Sequence, residues 1–344
     1  MGEYQLIVVG KAGSGAPRMA ELDKATINSI EWTLDGAGGF SYSIPTLDPK
    51  AIWTEPVKYE TQVRRNGSLF HWGCAFNQPE IGSELMTQEC LGLFAYFQYR
   101  FIHRSLDYVG VDQQTIAWNL LNYAMTEWPG AGLGITSSGF VPSGVNRDRH
   151  YPFDEHGNIA ELVKAFAGLQ NGFDFDIEIF GDGRREWTPY YPSKGVVRTD
   201  LTLEWGRNIV DFNIPKDASR MANWVTATGS GDGPAKLEQS YVDIAARDAN
   251  ILLQDVISES TVLELPTLLE KAQAEVNARK NPIRLPTITV IDKPGIPVIG
   301  VLKTGDRVPV KIDHGGAQMT GMWRIVHMKL TPRTEELELV LNAA

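Results

Sequence analysis

Tyr59-Glu60-Thr61-Gln62-Val63-Arg64-Arg65-Asn66-Gly67-Ser68-Leu69-Phe70-His71-Trp72 decides the fold class. Two β-prone runs flank Asn66-Gly67, the pair that best accepts the positive φ angles of a type I′ turn, and the twist of that turn matches the strands on either side. The stretch is therefore a tight antiparallel hairpin. On its N-terminal side a second hairpin is written by alternation. Ile30, Trp32 and Leu34 alternate with polar residues, Asp35-Gly36-Ala37-Gly38-Gly39 turns the chain, and Phe40, Tyr42 and Ile44 alternate again. Tyr4 to Val9 forms an earlier strand, and Leu85 to Ile102 continues the β pattern, although Leu93 to Phe97 is apolar on both faces.

Further along, the period changes. Ile116, Leu120, Leu121, Ala124 and Met125 have helical spacing, with Asp112 as the cap and Pro129-Gly130 as the stop. Asn158 opens a second helix with Ile159, Leu162, Val163 and Phe166 on one face, stopped by Asn171-Gly172. Phe173, Phe175, Ile177 and Ile179 then alternate with Asp174, Asp176 and Glu178, as in a half-buried strand. Trp224 to Thr228 reads as a strand, Pro266 begins a helix carrying Leu268, Leu269, Ala272 and Val276, and Ile283 to Leu341 is β again, closing on a hairpin around Pro332. The expected fold is α+β and β-rich, with residues 1–105 and 283–344 as β-barrel-like domains. Residues 106–200 form a peripheral α+β domain, and 201–282 a second connecting α+β segment. The two β-rich ends are candidates for related barrels.

Of the 344 residues, 43% are hydrophobic, enough for real cores. No window reaches the ~20 apolar residues of a membrane helix. Leu6 to Val9 is too short for a signal h-region, so a soluble chain made in a cytoplasm, without membrane insertion, is expected. The net charge is −10. By region, Lys/Arg against Asp/Glu is 9 to 11 over residues 1–105, 7 to 13 over 106–200 and 16 to 18 over 201–344. That balance excludes a basic nucleic-acid grip, and is compatible with DNA sliding past. Cys74 and Cys90 sit in apolar, strand-like surroundings and read as buried free thiols, with a single bridge between them as the alternative.

Four patterns invite chemistry. Gly10-Lys11-Ala12-Gly13-Ser14-Gly15 suggests a phosphate loop, but Lys11 precedes the glycines and Pro17 follows them, which fits a connecting loop instead. His150 and His156, with Asp148 or Asp154, are the best metal-ligand candidates. Their spacing matches no closed zinc pattern, and a polar loop before the Asn158 helix accounts for them. Asp174, Asp176 and Glu178 share a strand face and could serve glycoside cleavage, whereas plain alternation makes that face the solvated one. The nine tryptophans suggest either a sugar-binding surface or packing; most lie at core-facing positions. No metal, no cofactor and no catalytic residue is expected.

In their order, several of these features resemble the minor tail proteins of actinobacteria-infecting siphophages, the tail-hub family whose fold is like a phage baseplate hub. They are the hairpin Ile30–Ile44 with closing Pro45, the Arg64-Arg65-Asn66-Gly67 hairpin ending Phe70-His71-Trp72-Gly73, the helix-turn-strand Ile159–Ile179 and the turn Gly305-Asp306-Arg307-Val308. The resemblance implies a homotrimer whose two similar barrels per chain make a pseudo-sixfold ring at the tail tip. It also implies docking on a distal tail ring or tail-tube protein, neighbours among the tape-measure and other minor tail proteins, and passage of genomic DNA without specific binding. The virion tail tip, after assembly in the host cytoplasm, is the implied location. Many members carry a fused peptidase or lysin; no such motif is read here, and a structural, non-enzymatic role is expected. The alternative is a wall-directed hydrolase or glycan-binding tail protein.

Overall fold

The computed structural model describes residues 2–10, 17–169, 171–215, 218–231, 233–259, 265–281 and 285–343. The glycine-rich loop after Gly10 thus lies largely outside the described residues. The chain divides into two compact units, Met1–Phe212 with Thr287–Ala344, and Asn213–Pro286.

The larger unit is built on a 14-stranded sheet to which both chain ends contribute. Within it, one arrangement occurs twice. The strands Thr26–Thr33, Gly39–Pro45, Tyr59–Arg65, Ser68–Cys74 and Leu85–Gly92 lie side by side in the order first, second, fifth, fourth, third. Ile209–Asn213, Thr287–Ile291, Arg307–His314, Ala317–Thr331 and Glu336–Ala343 lie in the same order. The turns between third and fourth strands also agree. Asn66 and Gly67 have φ of 51° and 77°, and Gly315 and Gly316 have 58° and 82°, as the type I′ reading of Asn-Gly requires.

The two modules are joined by antiparallel pairing of Ala317–Thr331 with Thr26–Thr33. The register is His327 with Thr33, Met328 with Trp32, Lys329 with Glu31 and Leu330 with Ile30. A 3.1 Å ion pair from Lys329 to Glu31 and a 3.0 Å contact between His327 Nδ1 and Thr33 Oγ1 add side-chain bonds to the ladder.

The strand reading fails after Gly92. Leu93–Tyr99 is a 3-10 helix with Leu93, Phe94, Ala95 and Phe97 buried. A run apolar on both faces has no solvent side to give a half-exposed strand, and here it plugs the junction with the α+β part. Gly92 marks the break: a Cβ there would stand 1.8 Å from Ala37 O, so only glycine allows that approach.

The α+β part holds helices Gln113–Thr126 and Ile159–Ala167, the sheet of Ile135–Thr136, Arg185–Tyr190 and Asp174–Ile179, and the hairpin of Leu106–Asp112 with Asn146–Tyr151. Ile116, Leu120, Val163, Phe166, Phe173 and Trp187 belong to its core. It is tied to the first module by a fully buried ion pair. Arg185 reaches Glu60 with both guanidinium nitrogens, donates to Leu133 O at 3.1 Å and lies over the Trp72 ring, 4.0 Å from its centre. Losing one partner of such a pair typically costs about 3–5 kcal/mol, because the other charge stays buried alone.

The smaller unit sets Trp224–Thr228 between antiparallel Glu238–Val242 and parallel Gln254–Ser258. Leu268, Ala272 and Val276 of helix Leu265–Arg279 close its core on Val225 and Ala227. In sequence, the unit is inserted between the first and second strands of the second module.

Candidate functional site

The acidic strand Asp174–Ile179 is where catalytic chemistry would have to reside, and it is not a solvated face. Asp174 is buried, while Asp176 and Glu178 are half-buried. Alternation separates two faces of a strand without saying which meets water. Here the acidic face meets cations from distant parts of the sequence. Arg324 of the second module pairs with Asp174, whose other bond comes from the Lys194 amide. The Lys194 ammonium pairs with Asp176 and is 3.2 Å from Thr304 Oγ1. Tyr190 donates its hydroxyl to Glu178, and burial, then that hydrogen bond and the Glu178 charge, pushes the phenol up.

A cavity of about 740 Å³ opens beside this strand. Asp176, Glu178, Lys194, Asp306, Trp32 and His71 are among its lining residues. His71 is kept neutral: burial pushes it down to about 4, and its Nε2–H donates to Glu31 O at 3.1 Å. Every carboxylate of the acidic strand accepts a bond from a neighbouring side chain. The arrangement therefore works as a set of cross-links among strand, second module and the Tyr190–Lys194 segment, not as a nucleophile and acid facing a substrate.

Asp35, which the sequence marks only as a turn residue, does more in the fold. It adopts a left-handed backbone, φ 54°, and accepts the Phe175 amide at 2.7 Å. Burial, then the Asp174 charge, pushes its carboxyl up to about 7. Two carboxyl groups sharing a site cannot readily both ionise. Neither Asp35 nor Asp174 lines the cavity. Nothing in the local sequence marks it, since its partners lie some 140 residues away.

The metal candidates are held by separate partners. His150 pairs with Asp107, Asp148 accepts from the Gly110 amide at 2.7 Å, and His156 Nδ1 contacts Ile102 O at 3.2 Å. Asp154 sits in the exposed 3-10 turn Phe153–Glu155. Among the described residues, no group of three or more His, Cys, Asp or Glu is placed to hold a metal ion. Cys74 and Cys90 are buried thiols and not a disulfide. Among the described residues, no helix is long and apolar enough to cross a membrane.

No family model matches the sequence, and no curated protein matches it. Among the solved structures similar to the chain over almost its whole length are three tail proteins. The prophage MuSo2 43 kDa tail protein from Shewanella oneidensis has a TM-score of 0.66 at 12% identity, covering 98% of each chain. The tail protein from Neisseria meningitidis MC58 has a TM-score of 0.59 at 17% identity, covering 98% of this chain and 96% of that one. The prophage tail protein gp18 from Listeria monocytogenes EGD-e has a TM-score of 0.54 at 13% identity, covering 98% and 94%. At such identities the likeness establishes the fold: α+β, rich in β, and shared with phage tail proteins.

Proposed function

We propose that this chain is a structural subunit of a long-tailed bacteriophage, the hub that closes the tail tube at its tip. The observation that carries the reading is the duplicated five-stranded module within a fold shared, end to end, with phage tail proteins. A closed ring of three chains with two like modules each presents six similar sectors, the symmetry a sixfold tube requires. The distal tail ring or tube protein is then the partner on one side. The tape-measure and other minor tail proteins of a siphophage are the further neighbours, as the sequence resemblance implies. Residues 1–105 and 283–344, the latter completed by the return strand Ile209–Asn213, would serve as tube modules, with 106–200 and the rest of 201–282 as peripheral α+β segments.

The charge supports passage over binding. With a net charge of −10, the chain repels a polyanion at its surface, so DNA leaving the tube meets no adhesive wall. The enzymatic alternative loses ground because its carboxylates are engaged, Asp174 and Asp176 in ion pairs and Glu178 by the Tyr190 hydroxyl.

Electron microscopy of the purified chain, and of tails labelled with an antibody to it, tests the proposal. Threefold rings with six like sectors, found at the tail tip, are expected. A ring of six copies, or a single copy off the tube axis, would overturn it. Clearing of host cell wall in a zymogram, lost on Asp174→Asn or Asp176→Asn, would replace it with the hydrolase reading.

A further inference from the structure

The two modules are alike in strand order but not in what their edges meet. In the second module the fourth strand runs unbroken over Ala317–Thr331. Its last turns pair with the fifth strand on one side and with Thr26–Thr33, the first strand of the other module, on the opposite side. In the first module the fourth strand, Ser68–Cys74, is interrupted and resumes as Glu80–Ile81, which pairs with the fifth strand alone.

Equivalent positions show what is missing. Leu330 stands opposite Leu337 of its fifth strand, as Ile81 stands opposite Met86. Leu330 is 0% exposed, with Ile30 in register on its other side. Ile81 is 70% exposed, because no strand of the described residues lies there. The complementary edge is also open. Thr26–Thr33, first strand of the first module, is covered by Ala317–Thr331. Among the described residues its counterpart Ile209–Asn213 ends the sheet, paired along its length with Thr287–Ile291 alone and bridged to Trp205 only at Ile209, with Val210 42% exposed.

We propose that the open edge of Glu80–Ile81 in one copy pairs with the open edge of Ile209–Asn213 in the next. This repeats between chains the junction that Ala317–Thr331 makes with Thr26–Thr33 within one chain. The occupant of each edge is therefore a second copy of this chain, joined head to tail. The proposal rests on the ring reading above. A heterologous contact of this kind uses every edge only when the series closes. Left bare, both edges would be templates for uncontrolled pairing.

Cysteine cross-linking of the full chain tests the junction. Ile81→Cys is combined in turn with Val210→Cys, Asp211→Cys, Phe212→Cys and Asn213→Cys, and each assembled protein is oxidised and run on a denaturing gel. At least one double variant is expected to give covalent dimers and trimers, and no single variant should. Bonding of Ile81→Cys to itself would show a two-fold contact and overturn the proposal. So would a ring that assembles while none of the pairs cross-links; that result leaves the ring reading intact. A wild-type chain that stays monomeric at every concentration refutes the ring and the junction together. Ile81→Lys is the second arm. It should melt like wild type, since the side chain is exposed, yet sediment as a monomer; unchanged assembly would overturn the junction.

Discussion

Asp35 shows how a single side chain can make the fold sensitive to acid and base. Its carboxyl is buried against Asp174 and raised to about 7, whereas an unfolded aspartate titrates near 3.8. Between those values the folded state binds more protons than the unfolded one, so this group's contribution to stability falls as pH rises from about 4 to 7. Asp35→Asn keeps an oxygen for the Phe175 amide and tolerates the left-handed backbone. The variant should be more stable than wild type at pH 8, with the difference shrinking towards pH 4. Denaturant unfolding across that range measures it, and parallel curves for the two proteins would contradict the account. The pair was invisible in the sequence. A turn aspartate and a strand aspartate far apart carry no shared signal until the fold joins them. The same holds for Glu60 and Arg185.

At the scale of elements, the caps were legible because they are local. The sequence marks Asp112 as an N-cap, and its Oδ1 accepts the amides of Gln114 and Thr115 at the start of helix Gln113–Thr126. Its Oδ2 also holds Ser143 Oγ at 2.8 Å and the Gly144 amide at 2.9 Å, pinning a distant loop to the same helix. Asp112→Ala removes both sets and should cost roughly 1–2 kcal/mol, the upper part of the range for a lost cap. Asn158→Ala loses two bonds, one accepted from the Glu161 amide and one donated to Gln98 O, against four at Asp112, and should cost less. A larger loss at 158 than at 112 in chemical denaturation would refute the tether. The same locality explains the hairpins: Asn66-Gly67 and the alternation around Ile30 and Phe40 carry their own geometry. What alternation could not supply was the neighbour on each face. Alternation therefore places Asp174 in water, whereas the fold sets it against Arg324, and the two-faced apolar run after Gly92 forms a largely buried 3-10 helix in place of a strand.

For the whole molecule, the repeated strand order makes a prediction about the smaller unit. In the first module, the first and second strands are joined by the short turn Leu34–Gly38. In the second, the same two strands are joined by the unit Asn213–Pro286, which has a core of its own. If the modules are structurally equivalent, the second needs no more than a short turn at that place. Replacing residues 214–286 with a copy of Leu34–Gly38 should leave a cooperatively folding chain. Closure entropy changes by only about 0.6 kcal/mol per doubling of loop length, so the remainder should keep its unfolding free energy to within about 2 kcal/mol. The far-ultraviolet spectrum should lose helix and keep its strand signal, because helix Leu265–Arg279 leaves with the unit. Assembly should survive too, because the interchain pairing proposed above uses strand edges that the excision spares. A shortened chain that aggregates or melts without a cooperative transition would mean that the inserted unit is part of the second module's folding and that the two modules are alike in strand order only.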